Sequence, residues 1–267
     1  MSADKLDPRL SFNQVPETYD RARPEYPADA FKAILGYLRL KRDTESPIVV
    51  EIGPGTGQAT KGLLALGARV TTVEIGPQLA AFMRQKFARD ERVTVVNNSF
   101  EDVELPAGAH DVVFAATSFH WVDPAVRVRK AVELLAPNGV LATISTIQIS
   151  SEVDRGYFDR TFPIYKKYRP SEQYAAAPTE EEAVPSDFEE FRSSGLLEDV
   201  AVKRYRWDQT YTTDAYEQLV RSYSNTQTME PSPREDLISD LRTVIDSEYG
   251  GIVVRPLVIA LTLGRRK

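Results

Sequence analysis

The sequence predicts an α/β fold with a doubly wound, mostly parallel sheet of seven strands. Between residues 27 and 146, short apolar runs alternate with amphipathic segments, the pattern of parallel strands joined by right-handed helical crossovers. A turn with three glycines follows the first apolar run, and an acid ends the second. These features are typical of Rossmann-like sheets that bind a nucleotide.

The order of the elements supports this fold through the first half of the chain. Phe31, Ile34, Leu35 and Leu38 recur at helical spacing. Thereafter the pattern alternates between apolar runs and helical segments. We predict helices over 27–40, 58–67, 77–87 and 124–139, and strands over 48–52, 69–74, 92–97, 109–117 and 139–146.

The pattern changes near residue 150, where aromatic, charged and proline-rich segments follow. We predict a strand over 197–207, helices over 212–225 and 233–249, and a closing strand over 251–266 with a bend at Pro256. We predict four parts of the chain: an N-terminal arm (1–27), a Rossmann-like core (28–146), a helical lid insertion (147–195), and C-terminal strands and helices that complete the sheet and pocket (196–267).

Composition excludes several kinds of chemistry. The chain has no cysteine, which removes disulfides, thiolate-bound zinc and a cysteine nucleophile. No metal site is expected. The net charge of −6 disfavours nucleic acid and anionic lipid as partners. The N-terminus has no apolar signal-peptide core, and no run reaches the ~18 apolar residues that span a bilayer. We therefore expect a cytoplasmic protein.

The stretch "IVVEIGPGTGQ" indicates a ligand that lies against bare backbone. Gly53, Gly55 and Gly57 lead from the strand into a helix whose first N–H groups are exposed. Their spacing differs from the dinucleotide fingerprint G-x-G-x-x-G. Glu51 would repel a pyrophosphate and suits a cation such as an amino group or a sulfonium. Glu74 ends the second strand, where an acid can accept both ribose hydroxyls or cap the next helix.

Three segments carry a family resemblance. "VVEIGPGTGQAT", "VTTVEIGPQLAAF" and "DVVFAATSFHWVDP" resemble the class I S-adenosylmethionine-dependent methyltransferases. "YDRARPEYP" and "TSFHWVD" resemble a small-molecule branch that includes trans-aconitate methyltransferase-like proteins. The resemblance covers about residues 15–146. It implies S-adenosyl-L-methionine as cofactor and a small-molecule methyl acceptor. We expect a monomer or a homodimer.

The resemblance also implies roles for particular residues, which fall into groups around the methionine part, the ribose, the adenine, the sulfonium and the covering arm. The methionine part would be surrounded by Glu51, Gly53, Gly55, Thr56 and Gly57, and the ribose would be bound by Glu74. The adenine would lie beside Ser99, Phe100 and Glu101, and the sulfonium beside Ala116, Thr117 and Ser118. The covering arm would contribute Tyr19 and Arg23. Alternatives stay open for several of them. The glycines can serve only a tight turn, Phe100 can be core, Glu101 can be a solvated charge, Arg21 competes with Arg23 for the methionine carboxylate, and the arm can be purely structural.

Only two histidines are present. His110 precedes the fourth predicted strand and is expected in a surface turn. His120 follows that strand, where the acceptor should approach. It is the candidate catalytic residue, as a general base; it can instead orient a substrate carboxylate or pack beside Trp121.

The predicted reaction is methyl transfer to oxygen, nitrogen or a carboxylate of a small molecule by in-line displacement. Aromatic residues of the second half are candidates for a roof over the pocket; they are Tyr165, Tyr168, Trp207, Tyr211 and Tyr223. Two other functions remain open. An NAD-dependent oxidoreductase would share the fold and an acid at Glu74, and a non-catalytic protein would bind an adenosyl ligand without turnover.

Overall fold

The computed structural model describes residues 26–38, 46–171 and 176–267, and its central feature is a seven-stranded sheet. The strand order is β3-β2-β1-β4-β5-β7-β6. The first five strands are parallel, and β7 runs antiparallel to both β5 and β6. The strands are β1 (Ile48–Ile52), β2 (Arg69–Glu74), β3 (Val93–Asn97), β4 (His110–Ala116), β5 (Leu135–Gln148), β6 (Leu197–Thr212) and β7 (Ile252–Arg266). The predicted fold class is confirmed.

The helices of the described residues cover the sheet and the region after β5. They are α1 (Ala28–Tyr37), α2 (Gln58–Ala65), α3 (Pro77–Lys86), α4 (Arg127–Leu134), α5 (Tyr157–Tyr168), α6 (Asp187–Ser193), α7 (Thr213–Arg221), α8 (Ser224–Gln227) and α9 (Pro231–Glu248). Short 3-10 turns lie at Phe119–Trp121 and Glu152–Asp154.

Strand β1 lies at the centre of the parallel part, between β2 and β4. Its alternating side chains enter two different cores: Val49 packs with Phe31 and Ile34 of α1, whereas Val50 and Ile52 pack on the other face. Full burial of an aliphatic or aromatic side chain contributes roughly 1.5–3 kcal/mol. This burial on both faces explains why the run is apolar at consecutive positions. Glu51 is the one ionisable residue in this otherwise apolar strand.

Two expectations about the segment around α4 are wrong. The helix ends at Leu134, and residues 135–139 already belong to β5, where the pairing with β4 shifts register between His110 and Val112. His110 is buried rather than in a surface turn, and its Nδ1 lies 3.1 Å from the carbonyl oxygen of Leu134. The bulge thus encloses a ring that the sequence pattern had placed outside.

The long antiparallel ribbon of β6 and β7 extends the sheet beyond β5. β7 is continuous through Pro256, which pairs with Asp208, and its carbonyl oxygen accepts from the N–H of Ile149 at 3.0 Å. The backbone therefore stays paired where the sequence suggested a bend. A third apolar cluster joins α5, α7 and α9 around the buried Tyr157.

Candidate active site

A cavity of about 640 Å³ opens at the carboxyl edge of the parallel strands, the edge where doubly wound sheets bind ligands. It runs from the ends of β2 and β3 across β1 and β4 to β5 and the first part of β7. The predicted site residues that line it are Glu51, Gly53, Gly55, Glu74, Ser99, Phe100, Glu101, Ala116, Thr117, Ser118 and His120. Tyr19 and Arg23 lie outside the described residues, as does Arg21.

The glycine turn brings β1 close to the loop after β4. Gly53 has φ +61°, and a Cβ there would lie 2.8 Å from Cβ of Ser118. The N–H of Gly53 donates to the carbonyl oxygen of Val73 at 2.9 Å. Only glycine meets both the backbone conformation and the close approach.

Two residues of the same turn do not line the cavity, although the resemblance implied that they surround the cofactor. Thr56 is fully buried and exchanges hydrogen bonds with Gln58 at 2.7–2.9 Å. Gly57 has φ +87°, and a Cβ there would lie 2.6 Å from Phe87 and 2.8 Å from Met83. In this structure both residues fix the turn against α3.

Glu51 is a buried carboxylate in the wall of the cavity. Its Oε2 accepts from the hydroxyl of Thr60 at 2.6 Å. Burial raises its pKa to about 7, the Thr60 hydrogen bond opposes this, and the nearby Glu74 raises it further. The site therefore holds an acid whose ionised form a bound cation would stabilise.

Glu74 forms the adjacent part of the wall and is held by backbone donors. The N–H of Gly76 donates to Oε1 at 2.8 Å, and that of Gly55 donates to Oε2 at 3.3 Å. Burial raises the pKa of Glu74 to about 7 despite these two hydrogen bonds. Each carboxylate oxygen keeps a second lone pair that can accept from a ligand hydroxyl.

The loop after β3 borders the same end of the cavity. The Ser99 hydroxyl donates to Asp102 at 2.7 Å, which closes a tight turn. Phe100 lines the cavity but is also buried in the core, beneath the Lys130 ammonium at 5.7 Å from its ring centroid. Oε1 of Glu101 accepts from the N–H of Asp123 at 3.1 Å, which ties this loop to the segment after β4.

The loop after β4 is strained where it meets the cavity. Thr117 has φ +53°, a conformation that costs on the order of 1–3 kcal/mol for a β-branched residue. It is fixed by its N–H, which donates to Ile144 at 2.7 Å, and by the Tyr26 hydroxyl at 3.2 Å from its Oγ1. The Ser118 hydroxyl donates to the carbonyl oxygen of Ile52 at 2.5 Å. Strain of this kind is typical of ligand sites.

His120 projects at the exposed rim of the cavity, with its ring centroid 5.0 Å from that of Trp121. Partial desolvation and the positive charge of Arg127 lower the pKa of His120, and Asp187 opposes them. Arg127 is itself held by Glu190 of α6 at 2.5 Å. The imidazole is thus biased toward the neutral form, which can accept a proton.

Sequence reasoning missed part of the wall. Of the five aromatic roof candidates, only Tyr223 lines the cavity among the described residues. Asn98, Asn225 and Arg255 line it and were not singled out. The available signal for Arg255 was a charge inside the otherwise apolar run "GIVVRPLVIALTLG".

Neither a metal-binding cluster nor a membrane-spanning helix is present among the described residues. Within 26–38, 46–171 and 176–267, no group of three or more acidic or histidine side chains could hold a metal ion. No helix in these ranges combines the length and apolarity required to traverse a bilayer.

Part of the chain that forms this site is similar to known methyltransferases. Residues 50–143 match the model described as a methyltransferase domain. An uncharacterised methyltransferase of Mycobacterium tuberculosis is 29% identical over 144 residues, 54% of this chain and 55% of the relative. A ribosomal RNA small subunit methyltransferase A of a Synechococcus strain is 43% identical over 67 residues, 25% of this chain and 24% of the relative.

The fold agrees with a solved structure. A putative type II methyltransferase from Anaeromyxobacter dehalogenans has a TM-score of 0.61 and 21% identity, with 91% of this chain and 96% of that chain covered. The chain spans about half the length of the first curated relatives that it matches. The matched segment contains the glycine turn, Glu74 and the loop after β4, and over residues 50–143 the chain is similar to methyltransferase domains.

Proposed function

We propose that this protein transfers a methyl group from S-adenosylmethionine to a small-molecule acceptor. One observation carries the proposal: a single cavity of about 640 Å³ joins the buried carboxylates Glu51 and Glu74 to the strained loop at Thr117 and to His120. Its volume is in the range of small-molecule sites, roughly 300–1,000 Å³.

The residues of the carboxylate end fit the cofactor. A methionine ammonium or sulfonium beside Glu51 supplies the positive charge that an ionised, buried carboxylate lacks here. Glu74 keeps acceptor capacity for two ribose hydroxyls while backbone N–H groups orient it. The missing Cβ of Gly53 leaves the backbone accessible beside Ser118.

The chain's own groups then act by orientation, exclusion of water and proton acceptance. When bound, S-adenosylmethionine supplies an electrophilic methyl group on a neutral leaving thioether. Aligning the acceptor with that methyl group accounts for most of what the protein must contribute. His120, biased toward neutral imidazole, takes the proton of a hydroxyl or amine acceptor.

A small acceptor is favoured over ribosomal RNA. The net charge is −6, whereas a nucleic-acid footprint usually appears as a strongly basic domain. The likeness to the Synechococcus ribosomal RNA methyltransferase extends over 67 residues, and that to a ribosomal RNA methyltransferase of Myxococcus xanthus over 97 residues, 36% of this chain. The resemblance of "YDRARPEYP" and "TSFHWVD" to trans-aconitate methyltransferase-like proteins favours a small metabolite.

Two measurements test the proposal. Equilibrium dialysis with S-adenosylmethionine and with NAD should give saturable binding of the former alone; preference for NAD would support the oxidoreductase reading and overturn ours. Methyl-labelled cofactor should then label a low-molecular-weight fraction of a cell extract. Label confined to RNA or protein would refute the acceptor class, and tight cofactor binding with no labelled product from any fraction would indicate a non-catalytic protein.

A further inference from the structure

The end of the cavity opposite Glu51 and Glu74 carries a positive charge. Because β7 is antiparallel to β5, its first residues lie at the same edge as the end of β5. Arg255 of β7 lines the cavity there, together with Ser145 and Thr146 of β5. The cavity therefore has two acidic groups at one end and a guanidinium at the other.

The Arg255 guanidinium is fixed by neutral groups. Nη1 donates to the Tyr223 hydroxyl at 2.8 Å, and Nη2 donates to Oε1 of Gln148 at 2.9 Å. The Phe158 ring lies 6.0 Å from Cζ. Two of five N–H donors are used by these hydrogen bonds, and Nε is buried without an acceptor among the described residues.

No described carboxylate neutralises this charge. The ionisable groups that act on Arg255 are phenols, among them Tyr165, Tyr211 and Tyr216. Burial raises the pKa of Tyr216 to about 12 and that of Tyr165 well above its usual value, so both are neutral near pH 7. A largely desolvated charge without a counter-ion is costly, which indicates that the counter-ion comes from a ligand.

Other arginines of the described chain differ in this respect. Arg127, Arg221 and Arg242 each contact a carboxylate at 3.0 Å or less. A planar guanidinium held in one orientation suits the paired oxygens of a carboxylate or phosphate. His120, on the same cavity wall, is biased toward the neutral state and is the weaker candidate for holding an anion.

We propose that Arg255 is a specificity-determining residue that binds an anionic group, a carboxylate or a phosphate monoester, on the methyl acceptor. The proposal rests on the proposed methyltransferase function and deepens it by giving the acceptor a charge. The cationic cofactor binds at the carboxylate end, and the acceptor is held by its anion at the arginine end, so that its nucleophile faces the intervening loop.

The test measures anion binding directly, with acetate, methyl phosphate and neutral acetamide as probes. The readout is the ¹⁵N–¹H signal of the Arg255 Nε–H group, assigned by its loss in Arg255→Lys, with and without saturating S-adenosylhomocysteine. We expect a saturable shift with acetate or methyl phosphate and none with acetamide. The stronger of the two anions identifies the acceptor's group.

Arg255→Gln should weaken anion binding about 10- to 100-fold, the usual effect of losing hydrogen bonds to a charged partner, as followed by backbone signals of Tyr223 and Asn225. Arg255→Lys keeps the positive charge but lacks the paired N–H donors of the guanidinium. Its anion affinity should therefore lie between those of wild type and Arg255→Gln. Arg206→Gln is the matched control, because Arg206 lies on the neighbouring strand with Asp208 as partner and outside the cavity wall.

Three results would overturn the proposal: no anion-specific saturation in wild type, equal anion affinity in Arg255→Gln, or a tenfold loss of S-adenosylhomocysteine affinity in Arg255→Gln, which would assign the arginine to the cofactor carboxylate. Failure of the proposed function is distinguishable, because it would appear as absent cofactor binding in the wild type. The anion titration of the cofactor-free protein measures anion binding at Arg255 whether or not the cofactor binds.

Discussion

Glu51→Gln should stabilise the cofactor-free protein and weaken cofactor binding at the same time. Burial in the folded state raises the pKa of Glu51 from 4.5 to about 7, so ionisation above pH 7 opposes folding. At about 1.4 kcal/mol per pH unit, this corresponds to about 3 kcal/mol. The penalty is absent below pH 4.5, grows between 4.5 and 7, and is complete above about 7.

Urea unfolding of the cofactor-free protein measures this effect. At pH about 8 the free energy of unfolding of Glu51→Gln should exceed that of wild type by about 3 kcal/mol, and at pH about 4 the two should agree, because the carboxyl is then protonated in both states. Glu104→Gln, in an exposed loop, is the control and should change little at either pH. Dialysis should show cofactor affinity reduced about tenfold or more by the loss of the charge. A variant no more stable than wild type at pH 8 would refute the assignment of Glu51 as a desolvated acid.

Three other outcomes follow from the geometry. Cofactor affinity should be about tenfold lower at pH about 6 than at pH about 8 for each of Glu51 and Glu74 that must ionise for binding, because both pKa values are raised to about 7. Calorimetry at the two pH values would detect the difference, and equal affinities would contradict the prediction. His120→Ala should leave cofactor affinity unchanged while turnover falls about 10²- to 10⁴-fold, and unchanged turnover would eliminate the base role. Gly57→Ala should lower the free energy of unfolding by about 1–3 kcal/mol, because the added methyl group strains the backbone and collides with Phe87. An unaltered denaturation midpoint would contradict this and would show that α3 can shift to make room for the methyl group.

The sequence predicted the sheet and the carboxylate end of the cavity well, because both depend on local chemistry. The apolar run of β1 and the acid of Glu74 each occupy a fixed place in a strand–turn–helix unit. Once the sheet is parallel, the ends of its strands must meet at one edge. The strand bounds of β1 and β2 agree with the predicted 48–52 and 69–74.

The remaining features depend on contacts distant in the chain. The place of Arg255 in the cavity depends on β7 running antiparallel to β5. The burial of His110 depends on a register shift opposite β5. Thr56 and Gly57 do not line the cavity, because the Thr56 side chain is hydrogen-bonded to Gln58 and Gly57 lies against Phe87 and Met83. Residue type and local spacing do not encode these partners.

The crystal structure of the complex with S-adenosylhomocysteine tests the central claim most directly. We expect the amino group beside Glu51, the ribose hydroxyls on Glu74 and the sulfur facing the loop of Thr117 and Ser118. Density for the ligand at any other place, or none at a concentration that saturates binding, would contradict the account.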